Sequence, residues 1–324
     1  MSTPKRPLGK SGILVAPLAF GGNVFGWTAD EAASFRLLDR FVDRGFNLID
    51  TADVYTRWIP GHQGGESESI IGKWLKKSGK RDKVVIATKV GFDMDPAKSG
   101  MWSDTRCLKK DYILKAVEDS LKRLQVETID LYQTHIDDLD TPVEETMEAL
   151  DLLVRQGKVR SIGASQYKPE RLIESLTFAE KNHLTPYTCL QPGYNLYDRE
   201  DYERDLQPIV EKYGLGVITY FSLAGGFLTG KYRTDQDLSK SARGQGIVKT
   251  KYFNEKGLKI VRALDQVAER VHAPLSTIAL AWILSNPTIT APIASATNLE
   301  QLDEILKAPE LKLDTESLEL FNRV

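Results

Sequence analysis

Eight short runs of apolar and β-branched residues are spread along this chain, and most precede a stretch of helical spacing, the alternation that builds βαβ units. They are Pro17 to Gly21, Asn47 to Ala52, Val84 to Lys89, Asp130 to His135, Val159 to Ser165, Thr188 to Gln191, Gly216 to Ser222 and Thr290 to Ser295. Eight such units predict an α/β fold, a (β/α)8 TIM barrel. A β-hairpin turning at Gly9-Lys10-Ser11-Gly12 should come before it. Leu114, Val117, Leu121 and Leu124 share one helix face, as do Val143, Met147, Leu150 and Val154. Thr141-Pro142-Val143-Glu144 reads as a capping box with proline at the first helical position. A helix with the stripe Leu258, Val261, Leu264, Val267 and Val271 precedes another from Pro274 to Ser285, one helix more than eight units need. Gly225 to Lys256 is long and polar and reads as a large loop after the seventh strand, on the catalytic face.

Length alone leaves one elaborated barrel and two ordinary domains equally open at 324 residues. No boundary is visible within the chain, so residues 1–324 are expected to form a single barrel domain. With 43 basic and 45 acidic residues and no long single-sign block, neither a nucleic-acid nor a membrane partner is indicated. A small molecule is the default partner. Cys107 and Cys189 stand far apart outside any C-x-x-C pattern, which fits a reducing compartment and packing roles. Met1 to Arg6 lacks an apolar leader core, and the greasiest run, Ile278 to Leu284, is too short to span a bilayer. The expected location is cytoplasmic.

Three consecutive strand ends deliver four polar groups. Asp50 and Tyr55 follow the second run, Lys89 closes the third and His135 the fourth, and parallel neighbours in a barrel would bring all four together. A hydride acceptor such as a ketone needs a proton at its oxygen as hydride arrives at carbon. Tyr55 can supply it, but a free phenol has a pKa of about 10, so a nearby cation should favour the phenolate. Lys89 is that cation, held charged by Asp50, and a neutral His135 can direct the carbonyl oxygen. Taken singly, each residue is more often structural.

These residues resemble those of the aldo-keto reductase family, from near Leu8 to near Glu304. Phe46-Asn47-Leu48-Ile49-Asp50-Thr51-Ala52-Asp53-Val54-Tyr55 is similar to the family segment carrying the aspartate and tyrosine of its catalytic tetrad. Ala87-Thr88-Lys89 and Asp130-Leu131-Tyr132-Gln133-Thr134-His135 resemble the lysine and histidine segments. The resemblance implies reversible, NAD(P)H-dependent reduction of an aldehyde or ketone to an alcohol, without metal. It also implies that Asp50 touches the nicotinamide ribose, that Tyr220 stacks on the nicotinamide, and that Ser165, Gln166 and Gln191 hold its carboxamide. Gln166 departs from the asparagine usual there.

Phosphate groups in barrels commonly sit between the loops after strands seven and eight. Those loops are Ser222-Leu223-Ala224-Gly225-Gly226 and Ser295-Ala296-Thr297-Asn298, whose small residues let amides approach a pyrophosphate, with Asn298 as a cap on the last helix. By resemblance the dinucleotide also meets Gly22, Asn23, Phe221, Lys231 and Gln301, and Glu304 matches an adenine contact. Many relatives carry Arg or Lys after strand eight for the 2'-phosphate of NADPH, whereas Ala291 to Gln301 contains no basic residue. Charge-assisted hydrogen bonds of roughly 1.5–3 kcal/mol each are at stake. Lys231 or another basic residue of the long loop would have to compensate. NADPH is the expected cofactor by family habit, and NADH is the alternative.

Trp27 and Trp58 follow strands one and two and are expected around the substrate mouth, together with Tyr55 and His135. Gly225 to Lys231 fits seven positions of a phosphate-binding P-loop, but Tyr232 stands where Ser or Thr must reach magnesium. Asp137, Asp138 and Asp140 precede a helix and read as solvated charge, not metal ligands, and solvent exposure would likewise explain His62, Glu66 and Glu68. A non-catalytic reading is kept, because the potassium-channel β subunits share the barrel and the cofactor while acting chiefly as partners. Nothing resembles a docking tail. A Schiff-base hydrolase or aldolase would need Lys89 without a paired acid, and Asp50 argues against it.

Overall fold

A computed structural model describes residues 4–95 and 105–324. Met1 to Thr3, part of the stretch expected to lack a leader, lie outside the described residues, as does part of the loop after Lys89. Eight parallel strands close into a barrel in sequence order: β3 (Ala19–Gly21), β4 (Leu48–Asp50), β5 (Val85–Val90), β6 (Ile129–Thr134), β7 (Val159–Ser165), β8 (Cys189–Gln191), β9 (Gly216–Thr219) and β10 (Ala291–Ala294), with β10 pairing back onto β3. Each lies within one of the eight runs read from sequence, give or take a residue. Before the barrel, β1 (Arg6–Pro7) and β2 (Leu14–Val15) form the antiparallel hairpin.

That hairpin closes one end of the barrel. Leu8, Ile13 and Val15 pack with Ala19, Leu48, Val85, Ala87, Leu131, Cys189, Ile218, Ala291 and Ile293 in one apolar cluster. A Cβ on Gly216 would stand 2.5 Å from the Gly9 nitrogen, so two backbones touch where only glycines fit. Side chains on a strand alternate with period two, so stepping two residues from this cluster leads up the barrel interior. Leu48 gives way to Asp50, Ala87 to Lys89, Leu131 to Gln133 and Cys189 to Gln191. The interior is therefore greasy at the hairpin end and polar at the strand C-termini, with its chemistry confined to one face.

Helices α1 (Glu31–Asp43), α2 (Glu66–Ser78), α3 (Lys110–Leu124), α4 (Val143–Arg155), α5 (Pro169–Lys181) and α6 (Gln207–Tyr213) wrap the outside. Between β9 and β10 lie both α7 (Glu255–Val271), the helix beyond one per unit, and α8 (Leu275–Ser285), while α9 (Leu299–Ile305) and a short α10 (Thr315–Asn322) end the chain. Helix α8 is apolar on nearly every face because it is buried from Ser276 to Ile283. Among the described residues no helix is long and apolar enough to cross a membrane.

Local readings need correction at several points. Helix α4 starts as expected, but the Thr141 capping box does not form: the Thr141 hydroxyl donates to Asp138 instead (2.5 Å), and the cap position falls to Pro142. Asp137 and Asp138 are not solvated. Both are buried, the first paired with Arg171 at 3.1 Å and the second accepting from the Leu108 amide. Glu68 is also buried, clamped between Arg123 (2.7 Å) and Thr88 (2.5 Å), so solvent exposure does not account for it. Asn298 does cap a helix, accepting from the Gln301 amide, but that helix is α9 and α10 follows it. The long segment after β9 is a series of short helical turns that bury Phe227, Leu228, Tyr232, Leu238, Val248 and Tyr252. Its polar composition hides an apolar minority that supplies an anchor to the barrel.

Candidate active site

At the polar end of the barrel, register brings the expected residues together. Gly21 of β3 pairs with Asp50 of β4, Asp50 with Ala87 of β5, and Lys89 of β5 with Gln133 of β6. Lys89 is fully buried. Its ammonium donates to Asp50 Oδ2 (2.7 Å), the Thr51 carbonyl (2.7 Å) and Tyr55 Oη (3.0 Å), so all three protons are used. Burial alone favours the neutral amine. Asp50 and Tyr55 outweigh it, and Lys89 is held above its ordinary value as a cation. Asp50 in turn accepts from Gln191 Nε2 at 2.8 Å, which also lies 3.3 Å from Gln133 Oε1.

Tyr55 is half-buried, with one face open to a cavity and the rest enclosed by protein. Burial raises the phenol above its ordinary value; Lys89 pulls it down without cancelling that effect, and Asp50 adds to the rise. Lys89 thus acts on the phenol in the expected direction, burial outweighs it, and the group expected to act as an acid starts with its proton in place. His135 is set in the opposite direction. Burial, then the Lys89 charge, pushes it well below the usual imidazole range, so the ring is neutral, and its Nδ1 has no hydrogen-bond partner. The ring packs edge-on against Tyr55 (5.8 Å) and Phe92 (5.3 Å).

The cavity, of about 410 Å³, is lined by Val54, Tyr55, Trp58, Phe92, Arg106, His135, Ile136 and Gln166. Trp58 thus stands at the mouth as expected. Trp27 does not line the cavity; it packs edge-on behind Trp58 at 5.6 Å, with the Arg243 guanidinium 5.3 Å from its ring centre. Gln166 reaches the cavity with its amide nitrogen committed to the His135 carbonyl (3.0 Å). Thr56, Gln166, Phe221 and Ala224 all have positive φ, between 50° and 72°, although none is glycine. Backbone strain of this kind tends to collect at functional sites, and here it sits on the loops at the strand C-termini.

The segments expected to hold a dinucleotide lie beside this cluster. Ser165 donates to the Gln191 carbonyl (2.9 Å), and the half-buried Tyr220 ring lies against Gly193, where a Cβ would come within 3.2 Å of it. Ser222 folds back onto Thr219 (2.9 Å), and Leu223, Ala224 and Gly226 form the tight turn after it. Phe221 is among the exposed large apolar side chains. Across the cleft, Ser295 donates to the Gly21 carbonyl (2.8 Å) and accepts from the Asn23 amide (2.7 Å), next to Gly22. Thr297 and Gln301 bond to each other at the start of α9 (3.0 Å). Glu304 accepts from Ser276 through one carboxylate oxygen. Lys231 lies over the Tyr232 ring at 5.1 Å.

Three participants were not singled out from sequence. Gln133 is one turn of alternation past Leu131 on a strand already assigned, so period-two counting would have found it. Arg243 was not legible: it reaches Asn23, Trp27 and the vicinity of Tyr55 through the fold of the long segment. Arg106 enters the cavity lining through an antiparallel bridge between its own backbone and Phe92.

Comparison with known proteins agrees with this geometry. Residues 17–324 match the model of the "Aldo/keto reductase family". The chain is 37% identical over 98% of its length to an uncharacterized oxidoreductase, YrpG, of Bacillus subtilis, covering 94% of that protein. It is 32% identical over 95% of its length to the norsolorinic acid reductase of Aspergillus flavus, covering 77% of it. It is also 31% identical over 93% of its length to a probable voltage-gated potassium channel subunit beta of Oryza sativa, covering 89% of it. The chain belongs to the aldo/keto reductase family.

Proposed function

We propose that this member of the aldo/keto reductase family is an NAD(P)H-dependent carbonyl reductase with Tyr55 as general acid, assisted by Lys89, Asp50 and His135. One observation carries the reading: a buried ammonium, fixed by a carboxylate, stands 3.0 Å from a phenol that opens onto a cavity shared with a neutral imidazole. The bound cofactor supplies hydride, and the rest follows from the chain's own groups. The substrate oxygen sits between Tyr55 Oη and the His135 ring. As negative charge grows on that oxygen, the Tyr55 proton transfers to it, and Lys89 stabilises the phenolate left behind in a site with little water to screen it. Asp50 keeps the ammonium charged throughout, and Gln191 keeps Asp50 in place.

A dinucleotide fits the neighbouring cleft for reasons of shape and chemistry. A Cβ on Gly21 would meet Ser295 Oγ at 2.5 Å and one on Gly22 would meet the Asp50 carbonyl at 3.1 Å, so that wall has no room for a side chain at either position. Ser165, Gln191 and Tyr220 offer a hydroxyl, an amide and an aromatic face to a carboxamide-bearing ring. NADPH is the reading for the cofactor, supported by Lys231 and Arg243, which have no carboxylate partner among the described residues; NADH is the alternative. Titration of tryptophan fluorescence with each should give the lower Kd for NADPH.

Tyr55→Phe tests the acid. It should cut kcat for aldehyde reduction by about 10²–10⁴-fold with NADPH affinity retained. A variant with near-normal kcat ends the assignment. The channel-subunit relative motivates a second reading, a cofactor-binding partner subunit; in that case the wild type itself would bind NADPH and turn over generic aldehydes very slowly.

A further inference from the structure

Arg106 differs in its surroundings from the other arginines around this face. Arg57 donates to the Asp93 carbonyl (2.8 Å), Arg123 is paired with Glu68, and Arg171 with Asp137. Arg106 has no hydrogen bond or ion pair with any described side chain, yet it lines the cavity that Tyr55 and His135 share. Its backbone is well held. It pairs antiparallel with Phe92; the flanking Cys107 amide donates to the Gly91 carbonyl (3.0 Å); and Tyr112 donates to the Phe92 carbonyl (2.5 Å). A fixed backbone thus delivers an unpartnered guanidinium to a cavity whose other walls are apolar or neutral: Val54, Trp58, Phe92 and Ile136, with Tyr55, His135 and Gln166. Among the described residues no carboxylate lines it.

We propose that Arg106 is a specificity-determining residue that selects carbonyl substrates bearing a carboxylate remote from the reacting carbon, on a flat apolar skeleton. This rests on the reductase reading above. The aldehyde oxygen faces Tyr55 and His135, the skeleton lies along Trp58 and Phe92, and the carboxylate takes the planar guanidinium fork, whose geometry matches two carboxylate oxygens. A carboxylate left unmatched at an apolar wall would lose hydration without return, so an apolar cavity with one cation discriminates by charge as well as by shape. In the reaction the carbonyl carbon receives a hydride from the reduced nicotinamide, which leaves oxidised. The oxygen takes the Tyr55 proton, solvent restores it, and the carboxylate is unchanged.

The test compares 4-formylbenzoate with benzaldehyde and with methyl 4-formylbenzoate, in the wild type and in Arg106→Met. The wild type should favour 4-formylbenzoate over the ester at least tenfold in kcat/KM, chiefly through KM, and raising the salt should shrink that ratio. Arg106→Met should lower kcat/KM for the carboxylate at least tenfold more than for benzaldehyde, and Arg106→Lys should restore part of the difference. Equal loss on charged and neutral aldehydes, or no wild-type preference, overturns the proposal while leaving the reductase reading intact. If no aldehyde is reduced, binding still decides: 4-(hydroxymethyl)benzoate should quench tryptophan fluorescence at least tenfold more tightly than benzyl alcohol, and Arg106→Met should abolish the gap. Equal binding of the two alcohols overturns it.

Discussion

Replacing Asp50 by asparagine removes the one carboxylate that accepts from the Lys89 ammonium and keeps the bulk in place. Lys89 is 0% exposed and Asp50 1%, so water cannot take over the lost contact. Breaking a buried pair from one side costs about 3–5 kcal/mol, because a charge is left uncompensated. The Thr51 carbonyl and Tyr55 hydroxyl still accept from Lys89, which places Asp50→Asn near the lower end, about 3 kcal/mol. Unfolding entropy for a chain of 324 residues amounts to about 0.7 kcal/mol per degree near the midpoint, so Tm should fall by about 4–5 °C. Lys89→Met should cost a similar amount, since Asp50 then keeps only the neutral donors Gln191 (2.8 Å) and Tyr55 (3.4 Å). The double variant removes both charges and should be little worse than either single one, a coupling of about 2–3 kcal/mol. Urea unfolding followed by tryptophan fluorescence, with calorimetry for Tm, measures all four corners of the cycle. Single variants within 1 kcal/mol of wild type, or additivity within about 0.5 kcal/mol, would refute the claim that the pair is a closed, dry ion pair.

Three further outcomes follow from packing and burial. Gly72→Ala in α2 should destabilise, by about 1–3 kcal/mol, despite alanine's better helix propensity, because the new methyl would press into the Arg123 carbonyl and stand 2.8 Å from the Leu124 carbonyl carbon; an unchanged urea midpoint would show that α2 and α3 can separate freely. Burial, then Glu68, raises Asp53 well above the usual carboxylate range, so its contribution is present at acid pH and lost as pH rises; Asp53→Asn should match wild type near pH 3 and gain on it at about 1.4 kcal/mol per pH unit above pH ~4, up to the folded pKa. A constant difference between pH 4 and 7 would contradict a protonated Asp53. His135 has the opposite sign: its folded pKa is depressed, so stability is lost as pH falls through about 6.5, and His135→Asn should flatten the decline in Tm between pH 7 and 5. A parallel decline in both proteins would show that the imidazole titrates in place.

Sequence by itself determined what depends on local periodicity and on where a strand ends. The eight barrel strands were readable because each is a compact apolar run, and Asp50, Lys89 and His135 were readable because a parallel barrel aligns strand C-termini on one face. Tertiary structure alone decided what depends on distance between segments remote in the chain. Solvation was misjudged for Asp137 and Glu68 because their half-buried arginine partners, Arg171 and Arg123, lie more than thirty positions away, and for Asp138 because the Leu108 amide that it accepts from is thirty positions off. The pull of Lys89 on Tyr55 was legible, because a charge 3.0 Å off is visible in a motif, whereas the desolvation that outweighs it is a property of everything packed around the ring. Arg106 and Arg243 reach the site on loops, whose paths are set by contacts with the finished barrel and leave no periodic trace in the residues that form them.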